Sequence, residues 1–483
     1  MNEFHGSAVR LRPLRTRLRR WAAPGALLVA GAIGVSGCEL SVVNPGQIAD
    51  ADLENPVAIP GIVLGVIGDY LTGLASGGGG GTLVASAMLT DEMSNSGSWV
   101  GLLGLNYGQN RDDWAESNLR WAYPAQARWT ANRAIERVSS LTTRNPAADP
   151  NIALLHLYGG FANRVLGDTF CDAVRDGGPR EPYHVYFIEA EEHFTRAIAV
   201  AEAALAAGDS VSARGVAQER MDNLVIAAYG GRAQARMMLA GLGIAGYTWQ
   251  MAVQDAERVP TEFVHSATFT NNSSNPWPSW GFSLTATEAT VWGTPFREWG
   301  QDFSAPVAQR TGDARVVYES FGSSPRTGRD NRRPFMRQRK YTSSSSNLPN
   351  IRGTEMRLIE GEAALAAGNW PGAVQKINDV RDFRNEFFTA ANQLPMVDAG
   401  DATEAWHLLM RERGIEMWLE GRRLPDLRRW EVSPGREMVP FQVIRRPADT
   451  PNPEEDPFVS VYAVEAMCIA VSRNEKLSNP NWR

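Results

Sequence analysis

The chain has 483 residues, 48 Lys+Arg against 54 Asp+Glu, a formal net charge of −6, and 43% hydrophobic and 21% charged residues. That length holds two or three domains or one large one, and the composition excludes wholesale disorder and a multi-span membrane protein. The acidic balance speaks against a nucleic-acid binder, whose contact face carries a basic surplus.

The N-terminus changes the charge arithmetic. Residues 1–37 hold Arg10, Arg12, Arg15, Arg17, Arg19 and Arg20 against one acid, Glu3, and an apolar stretch runs from Ala22 to Val35. The stretch is shorter than the ~20 residues a bilayer-spanning helix needs. A basic segment before a short apolar one reads as a secretory signal. Val35-Ser36-Gly37-Cys38 resembles the lipobox of bacterial lipoproteins. The resemblance implies a signal peptide over 1–37, cleavage before Cys38, and acyl chains on Cys38 that anchor the protein to a membrane without a span. Removing six arginines and one glutamate moves the net charge from −6 to −11. Residues 38–60 are polar and punctuated by Asn44-Pro45 and Asn55-Pro56, and read as a lipidated tether before a single domain over 61–483.

Helical periodicity dominates the mature chain. Ile62 to Leu74 is apolar at helical spacing, and the five glycines Gly77 to Gly81 form a loop, since neither helix nor strand favours them. Helices are expected over Trp121 to Val138, Ile152 to Leu166, Ile188 to Ala207, Leu224 to Leu242 and Trp249 to Val259. Glu355 to Ala367 is a helix, Gly368-Asn369-Trp370-Pro371 a tight turn, and Gly372 to Phe383 a second helix. This unit resembles a tetratricopeptide hairpin, which stacks on neighbours to bury its apolar face. The reading is an all-α, tetratricopeptide-like scaffold.

Two stretches break the pattern. Residues 264–350 are rich in Ser, Thr, Asn, Pro and Gly and hold Trp277, Trp280, Trp292 and Trp299, and residues 431–462 are also irregular. Both read as loop-rich excursions from the scaffold. Cys171 and Cys468 remain after Cys38. An exported compartment permits a bridge between them, closing a loop of about 300 residues, and two buried thiols are the alternative.

Residues 412–430 read ERGIEMWLEGRRLPDLRRW. Glu412, Arg413, Glu416, Glu420, Gly421, Arg423, Asp426, Leu427, Arg429 and Trp430 closely resemble the C-terminal signature of the SusD/RagB family. Asn44-Pro45, Asn55-Pro56, Leu166-Gly167-Asp168, Gly312-Asp313-Ala314-Arg315 and the tail Cys468 to Pro480 resemble further elements of it, with Ala314, Cys468 and Ala470 standing where the family has Pro. The resemblance implies a SusD-like fold. It also implies a cell-surface lipoprotein of the outer membrane that captures nutrient, often glycan, as the lid of a TonB-dependent, SusC-like β-barrel. No enzyme activity and no cofactor follow from it.

Several residues admit both a chemical and a structural role. Glu412, Glu416 and Glu420 at i, i+4 and i+8 share one helix face and read either as a metal or acid–base site or as an ion-pair network with Arg413, Arg422, Arg423 and Arg429. No HExxH, CxxC, GxSxG or phosphate-binding lysine loop occurs. Trp faces stack on sugar rings while polar neighbours bond hydroxyls. Asn275, Trp277, Trp280, Trp292 and Trp299 offer both, with Trp99 beside the Gly-rich loop as a further candidate. The same Trp residues would otherwise form a satellite core. Trp370, Trp418 and Trp430 fall on scaffold elements and read as core. A surface glycoside hydrolase on a helical scaffold is the alternative function, and a helical-repeat adaptor a third.

Overall fold

The computed structural model describes residues 54–75, 81–106, 111–211, 220–269, 287–343, 345–431, 444–445, 459–460 and 467–482. Cys38, Asn275, Trp277 and Trp280 lie outside these residues, as does Gly77–Gly80 of the glycine run.

The scaffold is helical: α1 Ile59–Ala75, α2 Thr82–Leu89, α3 Val100–Asn106, α4 Ala115–Leu141, α5 Pro150–Thr169, α6 Val185–Ala206, α7 Met221–Gly241 and α8 Trp249–Ala256. After the excursion come α9 Pro295–Trp299, α10 Gly353–Ala366, α11 Trp370–Asn385, α12 Ala402–Glu416, α13 Arg423–Glu431 and α14 Arg473–Ser478. The expected tether end at 60 shifts, because Pro56–Ala58 already forms a 3-10 turn and α1 starts at Ile59. Pro56–Ala75 is apolar and long enough to cross a membrane. Here Val63, Val66, Tyr70 and Leu74 are buried, as on a core helix.

Local chemistry sets the helix ends. Asp149 caps α5 by accepting from the Asn151 N–H at 2.8 Å, with Pro150 at the first helical position. Asn369 caps α11 through the Gly372 N–H at 3.1 Å, and Gly368 adopts φ +78° to close the α10–α11 turn. Packing then joins the helices. The Phe194 ring of α6 fills notches at Gly160 of α5 and Gly231 of α7, where an added Cβ would lie 2.6 and 2.4 Å from it. One large core runs through these helices, and a smaller one holds Leu358, Ile377, Val380 and Leu409 between α10, α11 and α12.

The short strands are β1 Ser94–Asn95, β2 Asp172–Val174, β3 Arg180–Pro182, β4 Val264–Ala267, β5 Ala289–Thr290 and β6 Gly300–Asp302. They continue with β7 Asp313–Glu319, β8 Arg326–Thr327, β9 Pro334–Phe335, β10 Arg337–Gln338 and β11 Leu348–Arg352. β4 and β11 pair antiparallel and form the neck of the excursion. Beyond the neck, β5 pairs with β1, β8 with β9, and β10–β7–β6 make a three-stranded sheet in which β6 and β7 run parallel. Of the second excursion only Ile444–Arg445 and Val459–Ser460 are described, paired antiparallel. At the C-terminus Cys468 is joined to Cys171, with Cα atoms 5.0 Å apart. Beside that bond the Ile469 N–H donates to the Thr169 carbonyl at 2.8 Å.

Candidate ligand-binding site

The residues 412–430 build a clamp of buried ion pairs. Glu412 accepts from Arg315 at 2.6 Å and from Arg381 at 2.7 Å. Glu416 takes the Thr354 hydroxyl at 2.7 Å, Arg315 at 3.1 Å and Arg384. Glu420 takes Arg352 at 2.8 Å and Lys340 at 2.7 Å. Burial pushes the Glu416 carboxyl up, but Arg384 and Arg315 outweigh it and hold the group at about 2. For Glu420, Arg352 and Lys340 likewise overcome burial and lower its pKa.

Two expectations are corrected here. α12 ends at Glu416, and Glu420 sits in a turn where Leu419 and Gly421 take φ +61° and +73°, so the three glutamates do not share one helix face. Their cations come from β7, β11, α11 and Lys340 rather than from the neighbouring arginines. Those arginines hold other acids. Arg413 binds Asp426 at 2.8 Å, Arg422 binds Glu355 at 3.2 Å, Arg423 binds Asp91 at 2.8 Å, and Arg429 binds Glu362 at 2.7 Å. The Trp430 indole N–H also donates to Glu362, at 2.9 Å. With every carboxylate of this set paired, the arrangement is a structural network rather than an acid–base centre. It ties two segments to the helices: 91–99, through Asp91, and the excursion, through Arg315, Lys340 and Arg352.

Those two segments meet in one corner. β1 pairs Ser94 with Thr290 and Asn95 with Ala289. The Ser96 N–H donates to the Glu288 carbonyl at 3.0 Å, and its hydroxyl to the Thr287 carbonyl at 2.9 Å. The β8–β9 hairpin closes the corner. Arg333 donates to the Asn95 carbonyl at 3.0 Å, and the Asp330 N–H to the Ser96 carbonyl at 3.1 Å. Two close approaches demand glycine. A Cβ on Gly328 would fall 2.1 Å from the Ser96 carbonyl oxygen, and one on Gly97 would fall 1.7 Å from Glu288 Oε2.

Trp99 rides on this corner, half-buried. Its backbone N–H donates to Glu288 Oε2 at 3.1 Å, and its indole N–H donates to Glu116. Glu288 is buried, while Arg329, 3.6 Å from it, leaves 63% of its side chain exposed. An oriented indole beside a guanidinium and a carboxylate can stack on the C–H face of a sugar and bond its hydroxyls.

The other candidates fare differently. Trp292 is 6% exposed and its carbonyl accepts from Ser94, so it packs in the interior and offers no stacking face here. Trp299 is half-buried against Phe296, with ring centroids 5.1 Å apart, and the Arg411 guanidinium lies 5.5 Å from its ring. Trp418 and Trp430 are core, and Trp370 packs partly buried against the smaller core. Two concavities of about 500 and 290 Å³ lie on the scaffold, at the start of α1 and beside Trp129, and neither is lined by a residue predicted for ligand. Sequence reading missed Glu288, Asn95 and Arg333. Their roles depend on pairings between segments about 190 to 240 residues apart, which leave no local signal.

Residues 293–467 match the family model described as SusD family. The fold is similar to that of a SusD superfamily protein from Bacteroides vulgatus, at 13% identity over 89% of this chain and 98% of that one, with a TM-score of 0.60. It is similar to a SusD-like carbohydrate binding protein from Bacteroides vulgatus, at 14% identity over 89% and 97% of the two chains and a TM-score of 0.59. It is also similar to a SusD-like protein from Bacteroides fragilis, at 14% identity over 90% and 98% and a TM-score of 0.61. No curated protein matches the chain.

Proposed function

We propose that this chain is a member of the SusD/RagB family, supported by the match of residues 293–467 and by the likeness in fold, and that it is a glycan-capturing lipoprotein, anchored at Cys38 to the outer membrane, that forms the lid of a SusC-like, TonB-dependent barrel. The observation that carries the ligand part is the corner at Trp99, where an anchored indole sits beside Glu288 and Arg329. The likeness in fold to a SusD-like carbohydrate binding protein supports the same ligand class. Capture requires only an oriented platform, and the close approaches at Gly97 and Gly328 pack this one against Glu288 and Ser96. The segment carrying Asn275, Trp277 and Trp280 is proposed as a second contributor on composition. So is Trp299, whose half-buried ring lies in the same excursion.

The test is retention of the full mature chain on a set of immobilised polysaccharides, with the length of the eluted polysaccharide measured alongside. Retention with unchanged chain length is the expected result, and Trp99→Ala should weaken it. Shortened chains would replace this reading with the glycoside hydrolase, and no retention on any polysaccharide would remove glycan as the ligand.

A further inference from the structure

We propose that a row of guanidinium and phenyl groups running from the β8–β9 hairpin along the edge of the three-stranded sheet of the excursion selects glycans bearing carboxylate or sulfate groups. The proposal rests on the glycan-capture reading above and names its substrate class.

The row can be followed atom to atom. Arg326 stands 4.3 Å from the Phe321 ring and Arg337 stands 5.3 Å from the same ring. Arg337 and Arg339 both reach Glu319 Oε2, with Arg339 at 3.4 Å. Arg339 lies 4.4 Å from the Phe303 ring, whose other partner is Arg310 at 4.6 Å. The order is therefore Arg326, Phe321, Arg337, Glu319, Arg339, Phe303, Arg310. Arg337 opens β10 and Arg339 directly follows it, and their shared contact with Glu319 sets both on one side. Phe303 is 43% exposed, and Arg326 is exposed.

Charge argues for an anionic occupant. The row's four guanidiniums face one carboxylate, Glu319, which only Arg337 and Arg339 reach, and among the described residues no carboxylate lies within ion-pair distance of Arg326. This concentration occurs in a chain of net charge −6, and residues 326–340 hold seven basic residues against one acid, Asp330. Guanidiniums bind carboxylate and sulfate through paired N–H groups, and phenyl faces take the apolar side of a sugar ring. A uronic acid or a sulfated sugar presents both in each residue. The row is continuous with the Trp99 corner, because Arg326 and Arg333 belong to the same β8–β9 hairpin.

The experiment is calorimetric titration of the full mature chain with hexagalacturonate, a heparin-derived hexasaccharide and cellohexaose, at about 50 and about 300 mM NaCl. A charged hexasaccharide should bind about tenfold more tightly than cellohexaose and weaken with salt. Which charged probe binds distinguishes carboxylate from sulfate. Arg326→Gln should weaken charged binding about fivefold without moving the melting temperature, while Glu319→Gln should strengthen it by releasing two guanidiniums. Equal affinity for charged and neutral probes overturns the proposal, as does charged binding that ignores both variants. Equally tight binding of a short single-stranded oligonucleotide overturns it too, by showing an unselective cationic patch. Binding of cellohexaose alone overturns it while leaving glycan capture standing, and retention on no polysaccharide at all overturns capture itself.

Discussion

Arg423 grips Asp91 through two hydrogen bonds of 2.8 Å across 332 residues of chain. Both side chains are buried, so the pair fastens the segment leading to Trp99 onto α13. Asp91→Ala would strand a guanidinium in the interior, at an expected cost of about 3–5 kcal/mol. Urea denaturation measures it. Replacing both partners by apolar residues, Asp91→Leu with Arg423→Met, should recover most of that loss.

Glu420 carries the same logic into the excursion. Glu420→Ala leaves Arg352 and Lys340 without their shared carboxylate and is expected to destabilise the protein by about 3 kcal/mol. Thermal melting reads it directly. A Glu420→Ala protein that melts like the wild type yet binds no glycan would contradict the structural role.

Glu92 gives a pH dependence. It is buried, its Oε1 accepts the Leu419 N–H at 2.6 Å, and its Oε2 has no hydrogen-bond partner. Burial pushes its carboxyl up to about 8. A raised folded pKa means that the folded chain binds the proton more tightly than the unfolded chain. The associated stability is complete below about 4.5 and is lost as pH rises through about 8, roughly 5 kcal/mol in all. Glu92→Gln should flatten the stability profile over that interval. Glu416, held at about 2, works in the other direction, and its contribution disappears as pH falls from about 4.5 towards 2.

The bond between Cys171 and Cys468 fixes the tail to the end of α5. Replacing both by Ser is expected to cost about 2–5 kcal/mol and to speed hydrogen exchange in residues 467–482 before the rest of the scaffold. Unchanged exchange there would mean that the Ile469 and Thr169 pairing alone holds the tail.

The helices were legible because their signal is local. Apolar residues at three- and four-residue spacing placed the hairpin at 355–367 and 372–383, against observed helices at 353–366 and 370–385. The excursion was recognisable by what it lacks, but its strands are two to seven residues long and show little alternation, so the β4–β11 neck and the parallel β6–β7 pair had no pattern to read. Ionic partners were the hardest part. Glu412 lies beside Arg413 in sequence, but a helix turns adjacent residues to different faces, and its cation, Arg315, comes from 97 residues away. Trp292 shows the same limit from the apolar side. Its composition suits a sugar platform, and only the pairing of β1 with β5 reveals that it is covered.

The most direct test of the central claim is a mild-detergent pull-down of the tagged protein from its own membranes, with co-purifying chains identified by mass. The account predicts a stoichiometric large β-barrel partner of the SusC type. A lone lipoprotein in repeated preparations would contradict it.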